Sequence, residues 1–234
     1  PFSPESLEAF LAGWDGHTPV SHSAAYRAAY APAYRVVRED LGTLVPVVIR
    51  IERLLAETGR ALVVLDGPCG SGKSTLADAL AALYHTQPIR MDDFFLPPPL
   101  RTAERLRQPG GNVHYERFRD EVLAGLMRGG DVAYRRYDCR SGAWVDRLHR
   151  ATPVAVIEGS YSHHPAFAQA YAALGALRVY VYTAEEERIK RLRMREGERF
   201  FTFQTRWIPL EKSYIEAYDI KSGADIALES QPWA

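Results

Sequence analysis

The chain has 234 residues, 47% hydrophobic and 25% charged, an ordinary balance for a soluble globular protein that can bury a core without disulfides. Lys plus Arg (29) equals Asp plus Glu (29), so no global electrostatic grip on nucleic acid or a membrane surface is expected. Two cysteines, Cys69 and Cys139, stand at no metal-ligand spacing, and no apolar run approaches the roughly 18 residues of a membrane span, so neither a metal framework nor a transmembrane helix is expected.

In chain order, Ser3 and Pro4 mark a helix start. The Ala/Tyr-rich stretch at residues 21–40 reads as helix broken near Pro32, with Tyr26, Tyr30 and Tyr34 at packing intervals, and residues 43–59 read as a helix stopped by Gly59. Residues 1–59 are therefore expected to form a helical N-terminal segment. Its opening residues lack a basic region followed by an apolar run, which argues against a secretory signal and for a cytoplasmic protein. "ALVVLD" (61–66) is an apolar run of the kind that forms a buried parallel strand, and a helix from Lys73 comes next. Residues 88–93 read as a weaker strand, and the Pro/Gly-rich stretch 96–112 as a loop. Residues 115–130 read as one amphipathic helix with Val122, Leu123, Leu126 and Met127 inward. "DVAYRRYD" and "AWVDRLHR" pair as a hairpin over "CRSG". "PVAVIEGS" and "LRVYVYTA" are further buried strands, separated from a last short strand, "GADIALE", by a charged helix. The alternation predicts an α/β fold with a mostly parallel sheet over residues 60–234.

The most specific feature is "GPCGSGKS" (67–74), which fits G-x-x-x-x-G-K-[ST] in full between a predicted strand and a predicted helix. Gly67, Gly70 and Gly72 permit the turns that aim backbone N–H groups inward, and Ser71, Ser74 and Thr75 complete the cradle at the helix start. Lys73 is the only lysine before Lys190 in a chain that otherwise uses arginine up to that point. Its compact ammonium suits a tight loop better than a planar guanidinium does. Ser74 offers a hydroxyl to Mg²⁺. Cys69 reads first as a filler residue of the loop, beside a helix dipole and Lys73 that favour a lowered pKa. The dinucleotide pattern fails because position 75 is Thr, and a guanine-reading Asn-Lys-x-Asp fails because Asn112 is the single asparagine.

Three constellations accompany the loop. "RMDDFFLP" (90–97) lies where open α/β sheets bind ligands, and an aspartate there can take a proton from a substrate hydroxyl and help orient Mg²⁺. "VAVIEGSYS" (154–162) ends an apolar strand in Glu158, placed to hold Mg²⁺ or its water. The arginines of residues 187–199 read as a lid, about 188–208, that brings guanidinium groups onto a transferring phosphoryl group. Trp207 and Phe201 are further candidates to touch an acceptor. His163 and His164 lack partners at metal spacing.

The order of these motifs, with "GGNVHYERF", "YRRYD" and "ADIAL" between and after them, resembles the uridine kinase / phosphoribulokinase / pantothenate kinase superfamily over roughly residues 60–230, most closely its bacterial uridine kinase-like branch. The resemblance implies a three-layer P-loop fold on a five-stranded parallel sheet, and ATP- and Mg²⁺-dependent phosphotransfer to a hydroxyl of a nucleoside-like small molecule. It implies Asp92 as catalytic base, with Lys73, Arg188 and Arg191 neutralising charge, and Ser74, Glu158 and Asp92 toward the metal. Asp93, His114, Tyr137 and Asp138 would lie toward the acceptor. Uridine kinases carry N-F-D-H where this chain has Asn112-Val113-His114-Tyr115, and a base-reading His where it has Gly142. His114 is thereby a candidate for an acidic or phosphorylated acceptor. A sugar phosphate or a pantothenate-like acid as acceptor, a nucleotide-binding regulatory ATPase module, and a homo-oligomer all stay open.

Overall fold

The computed structural model describes residues 3–15, 23–31 and 42–230. The chain divides into two compact units, Pro1–Val37 and Arg38–Ala234. In the first, α1 (Pro4–Gly13) begins as expected, with the Ser6 amide donating to Ser3 Oγ at 3.2 Å. Helix α2 (Ala24–Tyr30) is capped by Ser23 and brings the rings of Tyr26 and Tyr30 to 4.8 Å. The expected break at Pro32 and the position of Tyr34 lie outside the described residues.

The second unit opens on α3 (Val45–Thr58), whose end is set by Gly59 in the left-handed conformation. Val47 and Ile51 of α3 are fully buried in the core formed with the sheet, so this helix, read from sequence as part of the N-terminal segment, packs with the second unit. Five parallel strands make the sheet, in the order β2-β5-β1-β6-β7: β1 (Ala61–Asp66), β2 (Ile89–Arg90), β5 (Val154–Glu158), β6 (Leu177–Tyr182) and β7 (Ile226–Glu229). Every residue of β1 and β5 is buried, as near-continuous apolar runs between two helical layers should be. One face packs α3 and α4 (Lys73–Tyr84) through Leu76, Ala77 and Leu80. The other is aromatic-rich, with Phe94, Phe118, Phe167 and Tyr214 at its centre. The predicted hairpin forms as β3 (Val132–Tyr137) against β4 (Trp144–His149), a separate two-stranded sheet.

Three expectations change. The strand read at 88–93 is only Ile89–Arg90; Met91–Phe94 make a 3₁₀ turn that buries Met91 and Phe94 while leaving Asp92 accessible. The loop at 96–112 contains a short helix, α5 (Ala103–Arg107), capped by Thr102. The amphipathic helix is α6 (Tyr115–Phe118) and α7 (Ala124–Arg128) joined by a π turn at Arg119–Leu123. The wider turn rotates the residues after it, so Val122 and Leu123 stay buried while Met127 is 54% exposed. The chain continues through α8 (Ala168–Leu174), α9 (Glu185–Glu196), the single turn α10 (Phe200–Thr202), a π turn at Phe203–Trp207 and α11 (Ile208–Ala217). No helix among the described residues is long and apolar enough to cross a membrane.

Where β1 ends, the fully buried Asp66 carboxylate accepts the Gly67 amide (2.6 Å), the His163 amide (2.7 Å) and the Tyr214 hydroxyl (2.7 Å). Hydrogen bonds to charged groups contribute about 1.5–3 kcal/mol. Tyr214→Phe is therefore expected to destabilise the fold by about that amount, read as a lowered urea midpoint with unchanged m-value; an unshifted midpoint would show that the Tyr214 hydroxyl carries no weight.

Candidate active site

The parallel strands end on one edge of the sheet, and there the structure opens a cavity of about 1090 Å³. Register sets its floor: Leu65 and Arg90 both pair with Glu158, so the phosphate loop, the Asp92 turn and the end of β5 arrive side by side. Gly67, Gly70 and Gly72 all take positive φ. At Gly67 a Cβ would lie 2.0 Å from the Val181 carbonyl oxygen, and at Gly70 2.8 Å from the Leu192 side chain, so the loop passes where only glycine fits. The amides of Lys73, Ser74 and Thr75 open the first turn of α4, where no intrahelical acceptor is available. Loop and helix start together are a cradle for phosphate oxygens.

Lys73 is buried, its Nζ donating to the Pro68 carbonyl at 2.9 Å across the loop. Ser74 Oγ stands 3.3 and 3.4 Å from the Glu158 carboxylate oxygens. This convergence of hydroxyl and carboxylate oxygens suits Mg²⁺, a hard cation that takes oxygen ligands. Glu158 is also paired with Arg90 at 2.6 Å, and Arg90 in turn with Asp78 at 2.6 Å. Asp92 opens onto the cavity, enclosed by protein. That enclosure, reinforced by Glu158 and opposed by Lys73, pushes its carboxyl up to about 6.

Of the residues singled out from sequence, Lys73, Ser74, Thr75, Gly70, Gly72, Asp92, Glu158 and Arg191 line this one cavity. Gly67 and Ser71 lie beneath it, Ser71 fully buried. Arg188 does not line it either: it is buried under the phosphate loop, its Nη1 donating to the Cys69 carbonyl at 3.3 Å. The four residues read toward the acceptor do not line the cavity and have local partners. Asp93 accepts from the Tyr134 hydroxyl (3.2 Å) and pairs with Arg136 (3.6 Å). His114 caps α6, its Nδ1 accepting from the Arg117 amide at 3.3 Å. Tyr137 is buried against Trp144. Asp138 holds the hairpin turn by accepting the Arg140 (2.8 Å) and Ser141 (3.3 Å) amides. Gly142 has a positive φ in that turn.

Sequence reasoning missed the buried Glu211, which reaches the site from α11: it accepts the Cys69 amide at 2.9 Å and the Ser160 hydroxyl at 2.7 Å. Burial first, then the Glu211 carboxylate, push the Cys69 thiol up to about 12, the opposite of the lowering expected from Lys73 and the helix dipole. Asn112, which heads the Asn112-Val113-His114-Tyr115 stretch but was given no role from sequence, lines the cavity. Trp207 lines the cavity, 6.0 Å from the Phe95 ring, whereas Phe201 is 70% exposed and does not. His163 donates its backbone amide to Asp66, and its ring nitrogen meets the Val64 carbonyl; no metal-ligating cluster occurs among the described residues.

No protein-family model matches the chain, and no curated protein does. Solved structures do. A candidate uridine kinase from Bacillus stearothermophilus superposes with TM-score 0.54 at 18% identity, over 78% of this chain and 99% of its own. A candidate fructose transport system kinase from Silicibacter sp. TM1040 gives 0.57 at 22% identity, over 82% and 99%. YFH7 from Saccharomyces cerevisiae, a candidate P-loop kinase with a circular permutation, gives 0.63 at 13% identity, over 80% and 99%. The chain thus has the α/β fold of P-loop kinases, the fold that the sequence resemblance implied.

The raised Asp92 pKa has a consequence for stability. The folded protein holds the Asp92 proton more tightly than the unfolded chain does, so Asp92 makes the ligand-free protein less stable as pH rises from near 3.8 through about 6. Asp92→Asn is expected to raise the Tm of the ligand-free protein at pH 7.5 and to raise it less at pH 5, as measured by thermal scans at both values.

Proposed function

We propose that the protein is an ATP-dependent small-molecule kinase, transferring the γ-phosphoryl group of ATP to an acceptor hydroxyl. The observation that carries this reading is the position of Asp92: a carboxylate shares one cavity with the phosphate-loop lysine and the Ser74–Glu158 oxygens. A nucleotide switch needs the loop and the metal oxygens; a carboxylate base sharing their cavity is what an acceptor needs.

In this reading the loop amides and Lys73 hold the β- and γ-phosphates, and Ser74 and Glu158 hold Mg²⁺, which when bound neutralises phosphate charge. Asp92 accepts the proton of the acceptor hydroxyl as its oxygen forms a bond to the γ-phosphorus. The bond from the γ-phosphorus to the β–γ bridging oxygen breaks, and ADP leaves with that oxygen. Residues 188–208 act as the lid, with Arg191 the member of the sequence-predicted pair that faces the cavity. Arg188 supports the loop from beneath. The hairpin residues and His114 hold local structure, so we read the acceptor from the residues that do line the cavity.

The test is acceptor-stimulated ADP release across nucleosides, sugars and vitamin-like alcohols. General acid–base groups contribute about 10²–10⁴-fold, so Asp92→Asn should lose about that factor in kcat while ATP binding, followed by calorimetry, is kept. Because the ionised carboxylate is the base, kcat/KM should fall as pH drops through about 6, and an acid limb well below that value would remove Asp92 from the role. ATP hydrolysis that no alcohol stimulates would replace the kinase with a regulatory ATPase.

A further inference from the structure

The cationic side chains lining the cavity differ in what already holds them. Most of those on the lid are neutralised within the lid. Arg191 and Lys190 pair with Glu187 (2.9 and 3.9 Å), and Arg195 and Arg199 pair with Glu196 (2.8 and 3.0 Å). Arg206 lies over the Trp207 ring, 4.8 Å from its centroid. Arg101 and Arg140 come from segments well before the lid and have no carboxylate within ion-pair distance among the described residues. Arg101 comes after the Asp92 turn and is fixed by it: Nε donates to the Leu96 carbonyl at 2.6 Å, and Nη2 rests 3.6 Å from Cys139 Sγ. Arg140 sits on the hairpin turn, where the nearby carboxylate, Asp138, is taken by two backbone amides and by Arg136 at 3.5 Å. Arg101 and Cys139 line the same cavity as Asp92.

Two buried polar atoms accompany them. Asn112 is 6% exposed and Tyr161 2% exposed, and both line the cavity. The Asn112 amide is close enough to act on the Tyr161 hydroxyl, yet neither Asn112 Nδ2 nor that hydroxyl has a partner in hydrogen-bond geometry among the described residues. Asn112 is fixed against the Asp92 turn: its backbone carbonyl accepts the Leu96 amide at 3.1 Å, and the His114 amide donates to the Phe94 carbonyl at 2.7 Å. Buried polar atoms are seldom left without partners, and when they are, a missing ligand is a physical reason. The Phe95–Trp207 pair adds an apolar wall.

We infer that the acceptor is an alcohol bearing its own anionic group, a carboxylate or a phosphate, held by Arg101 and Arg140 while Asn112 and Tyr161 hydrogen-bond its uncharged oxygens. The inference rests on the kinase reading and narrows it. Guanidinium groups without an internal counter-charge favour a ligand that supplies one, and planar guanidinium matches both carboxylate and phosphate. A neutral alcohol could meet Asn112 and Tyr161 but would leave both cations without a counter-charge, and a site built for a polar partner rejects a substrate that lacks it. The sequence offered His114 for this role; the cavity offers Arg101 and Arg140.

The test uses the full chain with Mg·ATP and matched acceptors: a polyol or nucleoside, its phosphate monoester, and a hydroxy acid of similar size. The anionic members are expected to exceed the neutral one in kcat/KM by at least about tenfold, the scale of a lost hydrogen bond to a charged group, and the two anionic arms distinguish phosphate from carboxylate. Arg140→Ala, at an exposed side chain the fold does not need, and Arg101→Met should raise acceptor KM about ten- to a hundredfold with ATP KM unchanged. Turnover of the neutral acceptor as fast as of its anionic partners, or indifference of both variants, would overturn this inference and leave the kinase standing. If no acceptor of either kind stimulates ADP release, both readings fall.

Discussion

The Asp66 carboxylate fixes the site. It lies fully buried at the end of β1, and a carboxylate there is tolerable only because three donors meet it. Each donor comes from a different piece of chain: Gly67 opens the phosphate loop, His163 lies just beyond β5, and Tyr214 is on α11. Satisfying one buried charge therefore sets the positions of all three pieces. One turn earlier on α11, Glu211 repeats the device nearer the cavity, joining the Cys69 amide to Ser160, whose hydroxyl also reaches the Gly67 carbonyl at 3.1 Å. The loop is thus held from beneath by Asp66 and by Arg188 on α9, and from the side by Glu211. Its glycines supply the path, and these contacts hold it there.

What was legible in the sequence was what is local. The phosphate loop is read from adjacent residues because its glycines and lysine act through backbone conformation and one short side chain. The strands were legible because a strand buried on both faces needs an unbroken apolar run, which "ALVVLD" and "VAVIE" supply. Glu211 and Tyr214 were not legible. Their partners lie 142 and 148 residues away, and nothing in "IPLEKSYIEA" itself points to them. The β2 strand was overread for a related reason: an apolar residue beside charged ones looks extended until packing requires Met91 and Phe94 to turn inward together.

His114 and Asp138 show a different limit. Small polar residues before a helix or in a hairpin turn have two uses, to meet a ligand or to satisfy orphaned amides, and a motif match does not choose between them. Here the amides of Arg117, Arg140 and Ser141 take them. Asn112 and Tyr161, whose polar atoms have no such amide to serve, sit in the motifs that carry His114 and Glu158, two and three places away, and it is these that face the cavity.

The contrast between Lys73 and the lid arginines comes from the same accounting of partners. The cavity-lining cations Arg191, Lys190, Arg195 and Arg199 already have carboxylate partners, Glu187 and Glu196, with which a bound phosphate would compete. That exchange of one charged partner for another yields little net free energy, because the new attraction is offset by the one given up. Lys73 gives up only a neutral carbonyl, that of Pro68. In the proposed kinase, binding free energy from charge would therefore be concentrated in the loop lysine, while the arginines of the proposed lid, exchanging partners at small net cost, would track a phosphoryl group as its charge moves. A compact ammonium with one neutral partner to release fits the first task; a five-donor guanidinium that can keep one carboxylate while engaging a phosphate fits the second. The preference for lysine at position 73, in a chain that otherwise uses arginine rather than lysine before residue 190, has in this division of work its physical reason.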